Sequence, residues 1–116
     1  NSLDALRHKT FPPGQEPTVR IQAQQVEGGR LIRVWDNGPG IPAEHLGKVF
    51  DPFFTTKEVG QGTGLGLSIC YRLLAQVGGR ISVQSRPGQD CEFTLEFPEN
   101  VRENPGALGP QTALPA

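Results

Sequence analysis

The sequence predicts an α+β fold: a two-layer sandwich whose mixed, mostly antiparallel sheet is covered by helices on one face. Two observations carry this. Apolar residues alternate with polar ones at 19–23, 31–36, 80–85 and 91–97, the period of half-buried strands. Only one long stretch, 65–77, carries an apolar stripe of helical period. A length of 116 residues suits a single domain.

Residues 1–8, NSLDALRH, read as the end of a helix, because Leu3 and Leu6 share a face and no capping residue precedes them. Three prolines and a glycine make 11–17 a loop. Val19, Ile21 and Ala23 then alternate with Thr18, Arg20 and Gln22. Gly28-Gly29 is a hairpin turn signal, and Leu31 to Asp36 (LIRVWD) supplies the partner strand. Parity puts Ile32, Val34 and Asp36 on one face and Leu31, Arg33 and Trp35 on the other. If the first row faces the core, a carboxylate stands at its end, which is costly unless Asp36 has hydrogen-bond partners. After DNGPGIP comes a short helix from about Ala43 to Val49, then a loop-rich stretch to Gly66. In the long helix the stripe is 65, 69, 70, 73, 74 and 77, stopped by Gly78-Gly79. Two strands close the domain, Arg80 to Ser85 and Cys91 to Phe97, with Ile81 and Val83 inward and Cys91, Phe93, Leu95 and Phe97 on one face. Beyond Pro98, residues 99–116 have no period and are expected to form a disordered tail outside a 1–98 domain.

Charge and composition narrow the function classes. With 11 basic and 12 acidic residues, a net charge of −1 and no run of like charges, nothing marks a nucleic-acid or anionic-membrane surface. Cys70 and Cys91 match no metal spacing and lie in apolar periodic segments, where buried reduced cysteine is the common state; a reducing, cytoplasmic setting follows. No apolar stretch approaches the roughly 20 residues needed to cross a bilayer, and there is no signal peptide, so the chain is expected to be soluble.

The chemistry lies in three glycine- and phenylalanine-rich segments. GQGTGLGLSI, residues 60–69, has a glycine at 60, 62, 64 and 66 and runs into a helix. It is not a P-loop, because the only Gly-Lys, Gly47-Lys48, has Pro42 five residues before it and Val49 after it; nor does any spacing give GxGxxG. What remains is a glycine loop feeding a helix N-terminus, where unpaired N–H groups favour an anion. Taken alone, such a run is more often only a turn. In DNGPGIP, Asp36 is a carboxylate beside two glycines: it could accept from an exocyclic amine while a flat ring lies close to the backbone, or simply cap its own turn. FDPFFTTK, residues 50–57, is too apolar for a solvated linker, and Lys57 offers a cation for phosphate, although a loop packed on the core with a solvated lysine would look the same.

In this order NxxDAL, DNGPGIP, FDPFFTTK and GQGTGLGLSI resemble the N, G1, F and G2 boxes of the catalytic ATP-binding domain of sensor histidine kinases, within the GHKL or Bergerat-fold superfamily. The resemblance covers about residues 1–98 and implies that the first strand and most of the first helix of the fold are missing. It implies Mg²⁺ held by Asn1, and ATP whose adenine amino group donates to Asp36. Gly38, Gly40 and Ile41 would admit the ring; Phe50 begins an ATP lid that runs to about Thr63, from which Lys57 reaches phosphate. Gly62, Thr63, Gly64, Leu65, Gly66 and Leu67 would cradle the phosphates. Relatives often have Gly-Thr where Asp90 and Cys91 stand, so an adenine contact through that threonine does not carry over, although Thr94 is nearby. The implied activity is transfer of the γ-phosphoryl group of Mg-ATP to a histidine on a dimerisation domain, and onward to a response regulator aspartate. Neither His8 nor His45 has the acceptor's sequence context, so both are read as surface residues and the isolated chain is expected not to phosphorylate itself. Outward Leu31 and Trp35 are candidate contacts for the dimerisation domain. No membrane contact by this domain is implied, although the parent protein of such a domain can be an inner-membrane sensor. A non-catalytic ATP-sensing module and an anti-sigma-type serine kinase are the alternatives.

Overall fold

A computed structural model describes residues 2–55 and 65–100. The chain runs α1 (Ser2–Arg7), β1 (Val19–Val26), β2 (Gly29–Asp36), α2 (Ala43–Leu46), α3 (Gly66–Gln76), β3 (Arg80–Arg86) and β4 (Asp90–Pro98). The strands form one sheet in the order β1-β2-β4-β3, and all three pairings among the described residues are antiparallel. It is the α+β arrangement that the period-2 segments predict.

The pairing register bears out the parity reading. Ile32 lies opposite Leu95, Val34 opposite Phe93 and Asp36 opposite Cys91 across β2 and β4. On the far side of β4, Ile81, Val83 and Ser85 oppose the same three residues. One face therefore collects Ile32, Val34, Leu95, Phe93, Ile81 and Val83, with Asp36, Cys91 and Ser85 in a row at one end. Contacts of α3 run to β3 and β4, so this half of the sheet is the better covered. On the edge strand β1, Ile21 is 69% exposed. Val49, Leu74, Ile81 and Cys91 form the buried apolar core among the described residues.

Several boundaries and faces depart from the sequence reading. The helix expected over 43–49 ends at Leu46: Gly47 caps it, and Lys48 N–H donates to the carbonyl of His45 in a tight turn that delivers Val49 to the core. In α3 the buried positions are Ser68 and Leu74, whereas Ile69 (41%) and Cys70, expected in the inward stripe, are exposed. Two contacts turn the helix this way. Phe50 packs on Tyr71 with ring centroids 5.6 Å apart, and Ser68 can be buried because its hydroxyl donates to the Leu65 carbonyl at 2.9 Å. The helix stops as expected: Gly78 takes φ +79°, and the N–H groups of Gly78 and Gly79 donate to the carbonyls of Ala75 and Leu74. Of the disordered tail expected over 99–116, Glu99 donates its N–H to the Gly28 carbonyl at 2.9 Å, and residues 101–116 lie outside the described residues. None of the described helices is long and apolar enough to cross a membrane.

Candidate functional site

The site is built on the end of β2, an interior strand. Asp36 is its last residue, held between Val19 of β1 and Cys91 of β4, and it is 2% exposed. The Gly38 N–H donates to Asp36 Oδ1 at 2.9 Å, a turn closed by the side chain itself. The second carboxylate oxygen takes no hydrogen bond among the described residues.

Its neighbour Asn37 faces another way and does structural work. Asn37 Oδ1 accepts from Thr18 N–H at 2.7 Å and Nδ2 donates to the Glu16 carbonyl at 2.8 Å, tying the loop before β1 to the loop after β2. The turn-capping reading of DNGPG is met by both side chains: Asp36 closes its own turn, and Asn37 ties the two flanking loops.

The following glycines are required by close approach. A β-carbon on Gly38 would lie 2.7 Å from Asp36 Oδ1 and 3.4 Å from the Ala5 side chain of α1. Gly40 takes φ +72°, and a β-carbon there would meet the Arg86 carbonyl at 2.7 Å, Ser85 Oγ at 2.8 Å and the Asp90 carbonyl at 2.9 Å. The loop is therefore pressed on the β3–β4 turn and fastened to it. Ile41 N–H donates to Ser85 Oγ (2.7 Å), Ser85 Oγ donates to the Asp90 carbonyl (2.9 Å), and Gly88 N–H donates to the Pro39 carbonyl (2.6 Å).

Sequence reasoning missed Lys9, a cation beside this loop. Its ammonium group donates to the carbonyls of Asn37 (2.7 Å), Gly38 (3.2 Å) and Gln89 (3.3 Å), and lies 5.0 Å from the Phe11 ring centroid. No motif marks a lysine in a loop as the clamp of two distant turns.

Of the other predicted residues, Phe50 packs against Tyr71 and, edge-on at 6.3 Å, against Phe93, so it seats the start of the 50–57 segment on α3 and the sheet. Leu65 immediately precedes α3, and Gly66 and Leu67 form its first turn. Asn1, Lys57, Gly62, Thr63 and Gly64 lie outside the described residues. Among the described residues no cluster of histidine, cysteine and carboxylate side chains has metal-binding geometry.

The two residues at the Gly-Thr positions behave differently. Asp90 is buried and paired with Arg86, whose Nε donates to Oδ1 at 3.0 Å while Nη2 engages Oδ2; Trp35 Nε1 donates to the same Oδ2 at 3.2 Å. The Arg86 hydrogen bonds hold its carboxyl below the usual range against the opposing effect of burial. Cys91 lies in the row with Asp36, and burial, with the charges of Asp36 and Asp90, pushes its thiol up to about 12. Thr94 pairs with Arg33 and Ser82, on the opposite face from Cys91, so it does not stand in for the missing threonine. Trp35, read as a free outward contact, is engaged on that outer face: the Arg20 guanidinium stacks on its ring at 4.4 Å. His8 is exposed as expected, whereas His45 is half-buried with its ring edge-on to Phe54 at 5.4 Å.

Residues 1–101 match the family described as histidine kinase-, DNA gyrase B-, and HSP90-like ATPase. A sensor kinase, CckA, of Brucella abortus is 46% identical over 98 residues, 84% of this chain but 10% of that protein. Sensor histidine kinase ZraS of Escherichia coli is 41% identical over 93 residues, 79% of this chain and 20% of that protein. The chain thus spans a fifth or less of the length of these relatives. Among solved structures, the nucleotide-free catalytic domain of histidine kinase ThkA superposes with a TM-score of 0.62 at 39% identity, covering 72% of this chain and 53% of that one. Full-length ShkA in complex with AMPPNP gives 0.65 at 34% identity, covering 78% and 19%.

Proposed function

The chain belongs to the histidine kinase-, DNA gyrase B-, and HSP90-like ATPase family, with sensor kinase domains as its relatives, and from that premise we propose that it is the Mg-ATP-binding catalytic domain of a two-component sensor histidine kinase. The observation that carries the reading is Asp36: a carboxylate 2% exposed, set at the end of an interior strand, with one oxygen bound to Gly38 N–H and the other taking no hydrogen bond among the described residues. An acceptor-only group so placed selects a donor, and the exocyclic amine of adenine supplies one. Buried polar groups left unpaired by the wrong ligand make such a site selective.

The chain's own residues divide the work. Asp36 orients the base, Gly38 and Gly40 keep the loop free of side chains that would crowd it, and Ile41 offers an apolar flank. On the phosphate side the glycine run into α3, with Leu65, Gly66 and Leu67, offers backbone N–H donors at the start of an eleven-residue helix. Lys57 adds a cation and Asn1 an oxygen ligand for Mg²⁺. Mg-ATP, when bound, supplies the γ-phosphoryl group. The protein's part is positioning and charge neutralisation toward a histidine of a dimerisation domain, from which phosphate passes to a response regulator aspartate. A cytoplasmic location accords with that partnership.

Calorimetric titration with ATP, with and without Mg²⁺, of the wild type and Asp36→Asn tests the reading. Binding by the wild type that falls about 10- to 100-fold in the variant, the range for a hydrogen bond to a charged group, is expected. Absence of ATP binding by the folded wild type would refute it. Mixing the chain with [γ-³²P]ATP and a dimerisation domain bearing its histidine separates the kinase from a non-catalytic ATP sensor: acid-labile label on that histidine is expected. Label on the isolated chain, or on serine, would contradict the assignment.

A further inference from the structure

Lys9 contacts the same peptide group that Asp36 does, from the other side. The Asn37 carbonyl, which accepts from Lys9 Nζ at 2.7 Å, and the Gly38 N–H, which donates to Asp36 Oδ1 at 2.9 Å, are the two ends of one amide. The ammonium, the peptide and the carboxylate thus form an unbroken hydrogen-bonded relay. Hydrogen bonds in such a chain polarise one another: a cation on the carbonyl draws electron density from the amide and makes its N–H a stronger donor. Lys9 also bonds the next carbonyl, Gly38 (3.2 Å), and that of Gln89 (3.3 Å), so the amide is held in orientation as well as polarised. The Phe11 ring, 5.0 Å from the ammonium, covers one side of it.

We propose that Lys9 is a positioning residue for base recognition, acting through the 37–38 peptide to fix the Asp36 carboxylate with one oxygen engaged and the other presented to the ligand. This inference rests on the reading of Asp36 as the acceptor of the adenine amine and goes beyond it by assigning the group that sets its orientation. A lysine that merely fastened two loops would affect every nucleotide alike. A lysine that orients Asp36 affects the part of the affinity that depends on the 6-amino group.

The test compares ATP with purine riboside triphosphate, which lacks that amino group, by calorimetry on the full chain for wild type, Lys9→Met, Lys9→Arg and Asp36→Asn, with thermal unfolding of each. In wild type ATP is expected to bind more tightly than the analogue. In Lys9→Met that preference shrinks about 3- to 10-fold, the span of one ordinary hydrogen bond, toward the value for Asp36→Asn. Lys9→Arg, which keeps a cation and donors, retains most of it. A preference unchanged in Lys9→Met overturns the proposal, including the case in which both nucleotides weaken equally along with thermal stability. If Lys9→Met does not fold, Lys9→Gln carries the same comparison. Wild type that binds ATP without preferring it to the analogue, or fails to bind it, overturns the role of Asp36 and this inference with it; a normal wild-type preference that Lys9 substitution leaves intact overturns this inference alone.

Discussion

Replacing Gly40 by alanine gives the sharpest test of how the loop after β2 is held. Two costs combine. The residue sits at φ +72°, a region in which an L side chain costs about 1–2 kcal/mol. Its new β-carbon would also lie 2.7–2.9 Å from the Arg86 carbonyl, Ser85 Oγ and the Asp90 carbonyl. Two of those atoms are backbone of the β3–β4 hairpin, so they cannot swing aside. Ser85 Oγ is held from both sides by Ile41 N–H and the Asp90 carbonyl, so it gives only by breaking bonds. Overpacking of this kind costs about 1–3 kcal/mol, for a total of roughly 2–5 kcal/mol. For a domain near this size that corresponds to a fall of roughly 10–30 °C in Tm. Gly88→Ala is the control, with φ +79° in the adjoining turn and no atom within 4 Å of its β-carbon: it incurs only the backbone cost, about 1–2 kcal/mol. Urea unfolding followed by Trp35 fluorescence measures both. If Gly40→Ala proves no more costly than Gly88→Ala, the loop is not pressed on the hairpin and the account of the site's assembly is wrong.

Gly38→Ala should unseat the Asp36 carboxylate, since its β-carbon falls 2.7 Å from Oδ1; ATP affinity measured by calorimetry should fall at least about ten-fold while the circular dichroism spectrum is retained. The Asp90 carboxyl is depressed by its Arg86 hydrogen bonds, so its stabilisation is present above the ordinary carboxylate range and is lost as pH falls through the lowered value; acid unfolding profiles should show this loss, and Asp90→Asn should remove it. The Cys91 thiol is raised to about 12 by burial first and by the nearby Asp36 and Asp90 charges next. Its contribution is present below the ordinary value of 9.0 and is lost as pH rises from there toward 12, a change that Cys91→Ser should reduce in alkaline unfolding curves. At pH 8 an aromatic disulfide reagent should label exposed Cys70 rapidly and Cys91 only on the timescale of unfolding; two equally fast thiols would contradict the burial of Cys91.

What could be read from the sequence was whatever depends on a local period. Alternation located the four strands, and parity alone put Asp36 at the end of the inward row, where register with Cys91 and burial agree. The four ordered motifs identified the family without any tertiary information. The parts that were not legible are those fixed by contacts between distant segments. The rotation of α3, which exposes Ile69 and Cys70, is set by Phe50 against Tyr71 and by the Ser68 hydroxyl, neither of which a stripe of hydrophobicity encodes. Trp35 looked like a free apolar residue because its partners, Arg20 and Asp90, meet it only in the folded sheet. Lys9 carries no motif at all, and its three acceptors are backbone carbonyls, which every sequence possesses.

The strand order gives the proposed base subsite a place in time as well as in space. Asp36 and Cys91 belong to β2 and β4, whose alignment brings together residues at least 55 positions apart in the chain, the separation of Trp35 and Asp90. Pairings of such separation carry a large loop-closure cost and form slowly compared with the β1–β2 hairpin, which closes locally. Asp36 is delivered by the fast hairpin, but the surroundings that bury it arrive only with the slow closure. A refolding chain therefore acquires its carboxylate early and its selectivity late, so recovery of nucleotide binding after dilution from urea should follow the slow phase, not the fast one.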